Sequence, residues 1–193
     1  MLIVVVMEAT MHEYRIHTIE SAPEKSRPAL QGLKQAVGLI PNLAATMAES
    51  PVLINGFVGA FGNFGGGSFT GAQRQALLLT NAVTNRCAWA VAFHSTVALK
   101  EGVSPEDVEA IRERRAPRDP ALAALSVFTR ALIEKRGHLA QAELDAFNGA
   151  GFGPDQVLEV IAGLAVSVMA NYAGNITHPV LEAPFQAQRW DLG

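Results

Sequence analysis

The sequence predicts an all-α fold, on three observations. Helix-start signals recur along the chain at helical spacing. Glycines and prolines close the intervals between them. Outside the first ten residues, no stretch shows sustained period-two alternation.

The elements follow in order. Residues 28–37 form a short amphipathic segment that stops at Gly38, and Pro41 opens the next. Pro51 starts PVLINGFVGAFGNF, which ends in the run Gly65-Gly66-Gly67. No Gly-Lys-Ser/Thr follows that run and no strand precedes it, so it is a loop and not a phosphate cradle. Thr70 and Gln73 have the spacing of a capping box, and one long apolar helix is predicted from there to Gly102. Ser104-Pro105-Glu106-Asp107 supplies an N-cap, a proline at the first helical position and two acids in the first turn. Asp119-Pro120 repeats the device and launches a helix to about Arg136, and a further helix spans about 140–150. The last helix begins at Pro154. Its run VLEVIAGLAVSVMANYAG is apolar on almost every face, which predicts burial in the core or between subunits.

A faint internal echo links two of these joints. Gly102, Pro105 and Val108 match Gly151, Pro154 and Val157 at an offset of 49. Two related helix-turn-helix units would give this pattern, and so would a common way of joining helices.

The bulk numbers narrow the function classes. At 193 residues the chain predicts one domain over 18–193, with 1–17 as an N-terminal extension. The first ten residues, MLIVVVMEAT, are either an edge strand or a mis-assigned start, and their six apolar residues are too few to span a bilayer. Net charge is −3 and the only basic cluster is 112–115, so nucleic-acid binding has no electrostatic footing. With 49% apolar and only 17% charged residues, the chain has little polar surface, and a homo-oligomer is expected. A single cysteine excludes an intramolecular disulfide framework and fits a reducing, cytoplasmic setting.

That cysteine is Cys87, and His94 follows seven residues later. On one continuous helix they share a face, roughly 10 Å apart along the axis, with Ala90 between them. At that distance a hydrogen bond needs a bridging water or substrate. A lone thiol on an apolar helix is either a small core residue or a redox centre. Trp89 and Phe93, one turn apart, are either core or cavity wall. His178 lies in a surface loop or reaches a neighbouring subunit's site. His12, His17 and His138 have no ligand spacing, so no metal and no cofactor are expected.

LLLTNAVTNRCAWAVAFHSTVALKEGVSPEDV resembles the carboxymuconolactone decarboxylase family, which includes the AhpD-like alkyl hydroperoxidases. Members show Glu, eleven residues, Cys-x-x-Cys-x-x-x-His, then Ala-x-x-x-Gly and an acidic helix start. The resemblance extends to PNLAATMAESP, GGGS, DPALAAL, GFGPDQVLEVI and ANYAGNITHPVLE, roughly residues 18–184. It implies an AhpD-like bundle of about seven to eight helices.

The resemblance also implies site residues. Cys87 stands at the first cysteine of the motif and His94 at its histidine, while Ala90 replaces the second cysteine. Gln75 stands where peroxidase-type members carry a glutamate. The implied activity is a thiol-dependent, peroxiredoxin-type peroxidase weakened by the missing cysteine, with Cys87, His94 and Gln75 as catalytic residues and an external thiol as reductant. Its substrate would be hydrogen peroxide or an organic hydroperoxide. The alternative is a cofactor-free decarboxylase or proton-transfer enzyme on a small organic acid, with Arg74 or Arg86 facing the pocket, or a non-catalytic binder of a hydrophobic ligand.

Overall fold

The computed structural model describes residues 14–191, and all regular structure among them is helical. The helices are α1 (Arg27–Val37), α2 (Asn42–Met47), α3 (Pro51–Gly65), α4 (Gly71–Thr84), α5 (Ala88–Lys100), α6 (Pro105–Arg112), α7 (Pro120–Glu134), α8 (Gln141–Gly149) and α9 (Pro154–Thr177). Short 3₁₀ turns at Glu24–Ser26 and Ala183–Gln188 flank them. Eight of the nine run to eight residues or more, in line with the expected bundle. The edge-strand reading of the first ten residues lies outside the described residues.

The caps read at Ser104 and Asp119 act as such: Ser104 accepts from the Asp107 amide, and Asp119 from the amides of Ala121 and Leu122. Ser50, a cap not read from the sequence, accepts from the Leu53 amide at the start of α3. Thr70 and Gln73 close a reciprocal box: Gln73 N–H donates to Thr70 Oγ1 at 3.2 Å, and Thr70 N–H to Gln73 Oε1 at 3.0 Å. The two echoed joints share one backbone solution. Gly102 (φ 87°) and Gly151 (φ 97°) take the left-handed region, and Pro105 and Pro154 then open α6 and α9.

One element departs from expectation. The long helix predicted from Thr70 to Gly102 is two helices, α4 and α5, broken over residues 85–87. Arg86 holds φ 54°, its amide donates to the Val83 carbonyl at 3.1 Å, and the Cys87 amide donates to the Ala82 carbonyl at 2.9 Å. This pair of bonds is a Schellman ending with arginine in the place glycine usually takes. The chain reverses there, and α5 folds back along α4.

The α4 helix lies at the centre, packed on α5, α6, α7 and α9, while α9 also covers α2 and α3. Two cores result. One gathers Leu30, Leu43, Met47, Ile54, Leu79 and Trp89. The other gathers Phe64, Leu77, Leu125, Phe128, Phe147 and Val160, with Phe147 stacked between Phe128 (4.1 Å between centroids) and Phe152 (4.5 Å). The α9 helix contributes to both, so one side of it is core, but the burial on every face that its composition predicts is not reached within this chain. Its other side is not covered: Leu158, Ile161, Tyr172 and Ile176 are exposed.

Candidate active site

The α4–α5 reversal decides which predicted residues meet. Gln75 on α4 and His94 on α5 lie at comparable distances from the turn and face each other across the hairpin. His94 Nδ1 and Gln75 Oε1 are 2.9 Å apart. A carboxamide oxygen only accepts, so Nδ1 carries the proton and Nε2 presents its lone pair. Nε2 has no hydrogen-bond partner among the described residues. Burial pulls the imidazole down to about 3 from an ordinary value of 6.5, because a charged ring would lose its hydration there. At neutral pH His94 is therefore uncharged.

His94 lines a cavity of about 50 Å³. Its wall is built by Trp89, Ala90 and Phe93 from α5, Leu43 and Met47 from α2, Phe57 and Phe61 from α3, and Val166, Ser167 and Ala170 from α9. Trp89 stacks on Phe93 at 5.2 Å, Phe93 meets the His94 ring edge-on at 5.1 Å, and Phe185 packs edge-on against both aromatics. Trp89 and Phe93 are thus core and cavity wall at once. The Trp89 indole N–H donates to Glu182 Oε2 at 2.9 Å, and the other oxygen of Glu182 accepts from the Asn42 amide at 2.7 Å, which ties the C-terminal segment across α5 and α2.

Cys87 is placed elsewhere. It is the N-cap of α5, not a residue two turns along a shared face, and it does not line the His94 cavity. It is 1% exposed, and its Sγ packs so close to Gly174 on α9 that a Cβ there would lie 2.8 Å from it. Burial pushes the thiol up, and hydrogen bonds from the backbone of Ala90 and Trp89 only partly oppose this. Beside it is an open depression of about 380 Å³, shared with Arg86, Asn175 and His178. His178 is exposed at the end of α9, as a surface-loop reading requires.

Neither arginine considered for an acid substrate faces His94. Arg74 Nη1 donates to the Phe69 carbonyl at 2.5 Å, and Arg86 lies at the Cys87 depression. Among the described residues, no charged side chain lines the His94 cavity.

One residue of the cavity was missed from the sequence. Ser167 is 4% exposed, lines the cavity, and its Oγ has no hydrogen-bond partner among the described residues. A serine inside an otherwise apolar helical run was the available signal.

Comparison with known proteins places this geometry. The model of the carboxymuconolactone decarboxylase family matches residues 59–134, a span that contains Gln75, Cys87, Ala90 and His94. No curated protein matches. Among solved structures, the AhpD core of a peroxidase-related protein from Ralstonia eutropha is similar at TM-score 0.79 and 18% identity, over 90% of this chain and 93% of that one. The debrominase Bmp8 is similar at TM-score 0.75 and 21% identity, over 91% and 95%. A Bmp8 variant in complex with 2,3,4-tribromopyrrole gives TM-score 0.75 and 20% identity, over 91% and 94%. Residues 59–134 thus match the carboxymuconolactone decarboxylase family, and the chain shares the AhpD-like fold almost end to end.

Proposed function

We propose that the His94–Gln75 cavity is the working site, and that it takes a small uncharged organic molecule. His94 acts there as a neutral hydrogen-bond and proton acceptor. The observation that carries this reading is the Gln75-bonded, uncharged imidazole in a cavity that no charged side chain lines among the described residues. An anionic substrate entering there would lose its hydration with no cation to replace it, which disfavours the organic-acid version. At about 50 Å³ the cavity is smaller than the roughly 150 Å³ that admits benzene. A group of a few heavy atoms fits without rearrangement. The hydroperoxides expected from the family resemblance have such a head group.

The test compares binding of tert-butyl hydroperoxide with binding of acetate, followed through the His94 ring nitrogens by NMR. Movement of His94 by the neutral compound alone is expected. A response to acetate alone would overturn the reading.

A second reading, thiol-dependent peroxidase activity at Cys87 with an external reductant, draws support from the depression beside Cys87, which gives a reductant room near the sulfur. It predicts that peroxide consumption in the presence of dithiothreitol disappears in Cys87→Ala. Unchanged consumption in that variant would end it. Either reading includes a homo-oligomer, supported by the exposed apolar stripe on α9.

A further inference from the structure

Ser167 is out of keeping with the other hydroxyl residues of these helices. Thr80, Thr84, Thr96 and Thr177 each donate to the carbonyl four residues earlier, at 2.7–2.9 Å. The Ser167 hydroxyl is equally helical but makes no such bond, although a buried unpartnered hydroxyl is costly. Thr129 is also unpartnered, but it does not line this cavity. Ser167 therefore combines burial, an unused hydroxyl and a place in the wall that also holds His94.

We propose that Ser167 is the second polar anchor of the cavity, and that with His94 it selects ligands bearing an O–H group, an alcohol or a hydroperoxide. This rests on the reading that the His94 cavity is the working site. The choice of group follows from donors and acceptors. Gln75 holds the proton on Nδ1, so Nε2 can only accept, and the ligand must donate. The Ser167 hydroxyl can donate in return. An O–H group meets both demands with one oxygen: its hydrogen goes to Nε2 and its lone pair accepts from Ser167. A carbonyl or an ether would leave Nε2 unpaired. A carboxylate would bring a charge that nothing in the wall offsets. The remaining wall is apolar, so orientation depends on these two atoms.

The experiment uses the full chain with His94 followed by long-range ¹H–¹⁵N NMR. Three probes of similar size are titrated: propan-2-ol, acetone and acetate. Wild type is expected to bind propan-2-ol, with its Nε2 signal moving, and acetone and acetate more weakly. Ser167→Ala should weaken propan-2-ol about fivefold, the range of one hydrogen bond, and narrow its advantage over acetone. Ser167→Thr, which keeps a hydroxyl, should retain part of that advantage.

Failure can be told apart at two levels. If no neutral probe moves His94 while acetate does, the cavity reading and this proposal fall together. If propan-2-ol moves His94 but binds Ser167→Ala as tightly as wild type, the cavity stands and the anchor is overturned. A melting curve checks each variant's fold. Removing an unpaired buried hydroxyl should leave the ligand-free protein at least as stable. A large loss of stability in Ser167→Ala would mean that the hydroxyl serves the fold, and would also overturn the proposal.

Discussion

Gln75 and His94 meet across the α4–α5 hairpin at 2.9 Å, and this one contact sets both the tautomer and the orientation of the imidazole. The two residues are 19 apart in the chain, so the contact depends on the reversal at Arg86 as much as on either side chain.

The depressed His94 imidazole makes stability depend on pH in a definite direction. In the unfolded chain the ring takes a proton near 6.5; in the folded chain it stays neutral down to about 3. Between those values the unfolded state binds more protons, so stability falls as pH falls through this window, by about 1.4 kcal/mol per pH unit from this group. Urea unfolding from pH 7 to pH 4 should show His94→Gln losing less stability than wild type. Parallel curves for the two proteins would show that His94 is not held neutral by burial.

Replacing Gln75 by glutamate tests the pair from the other side. A carboxylate at Nδ1 stabilises the imidazolium, so the His94 pKa should rise by more than a unit. An NMR titration of the ring nitrogens measures it. Gln75→Leu, which removes the acceptor, should instead free the tautomer and cost about 1–2 kcal/mol of stability.

The packing of Cys87 against Gly174 predicts a rescue. A Cβ at position 174 would lie 2.8 Å from Sγ and 3.3 Å from Leu43 Cδ1. Gly174→Ala should therefore cost about 1–3 kcal/mol, and Cys87→Ala in the same chain should recover much of it. Purely additive losses in a denaturation cycle would refute the contact.

Glu182 anchors the C-terminal segment through Trp89 and Asn42. Glu182→Ala leaves two donors without their acceptor and should cost about 1–3 kcal/mol. The Trp89 side of the loss should appear as a red shift in tryptophan emission and as earlier proteolysis near residue 183. An unchanged emission spectrum would mean that the indole is held by its ring contacts alone.

The exposed stripe on α9 predicts self-association. Leu158, Ile161, Tyr172 and Ile176 are exposed and fall within about 60° of helical arc. Sedimentation should show a dimer or larger species, and Ile161→Lys should shift it toward monomer. A monomeric wild type at high concentration would refute this.

Much of the fold was legible because starts and stops use residues with one dominant use: Thr70 with Gln73, Ser104 with Pro105, Asp119 with Pro120. The break at residues 85–87 was not legible, because arginine occupies the left-handed position and the flanking residues all tolerate helix. That one misread turn moved Cys87 off the histidine's face. His94 and Gln75 were found through the family register, although their contact depends on tertiary structure. Ser167 escaped because one serine in an apolar helix breaks no local rule; its missing hydrogen bond shows only when the helix is packed.

The α9 helix, finally, bears on how the chain becomes folded. It supplies Val160 and Val166 to one core and Ala170 and Ala173 to the other. It is also apolar enough, at a mean hydropathy of 1.6, to match a membrane span by length and composition. During synthesis, α3 and α4 emerge well before the surface that covers them. Until residue 177 has left the ribosome, both cores stay open on the same side. The growing chain therefore keeps its most adhesive surfaces uncovered until late, and a truncation before α9 should yield an aggregating chain rather than a smaller folded one.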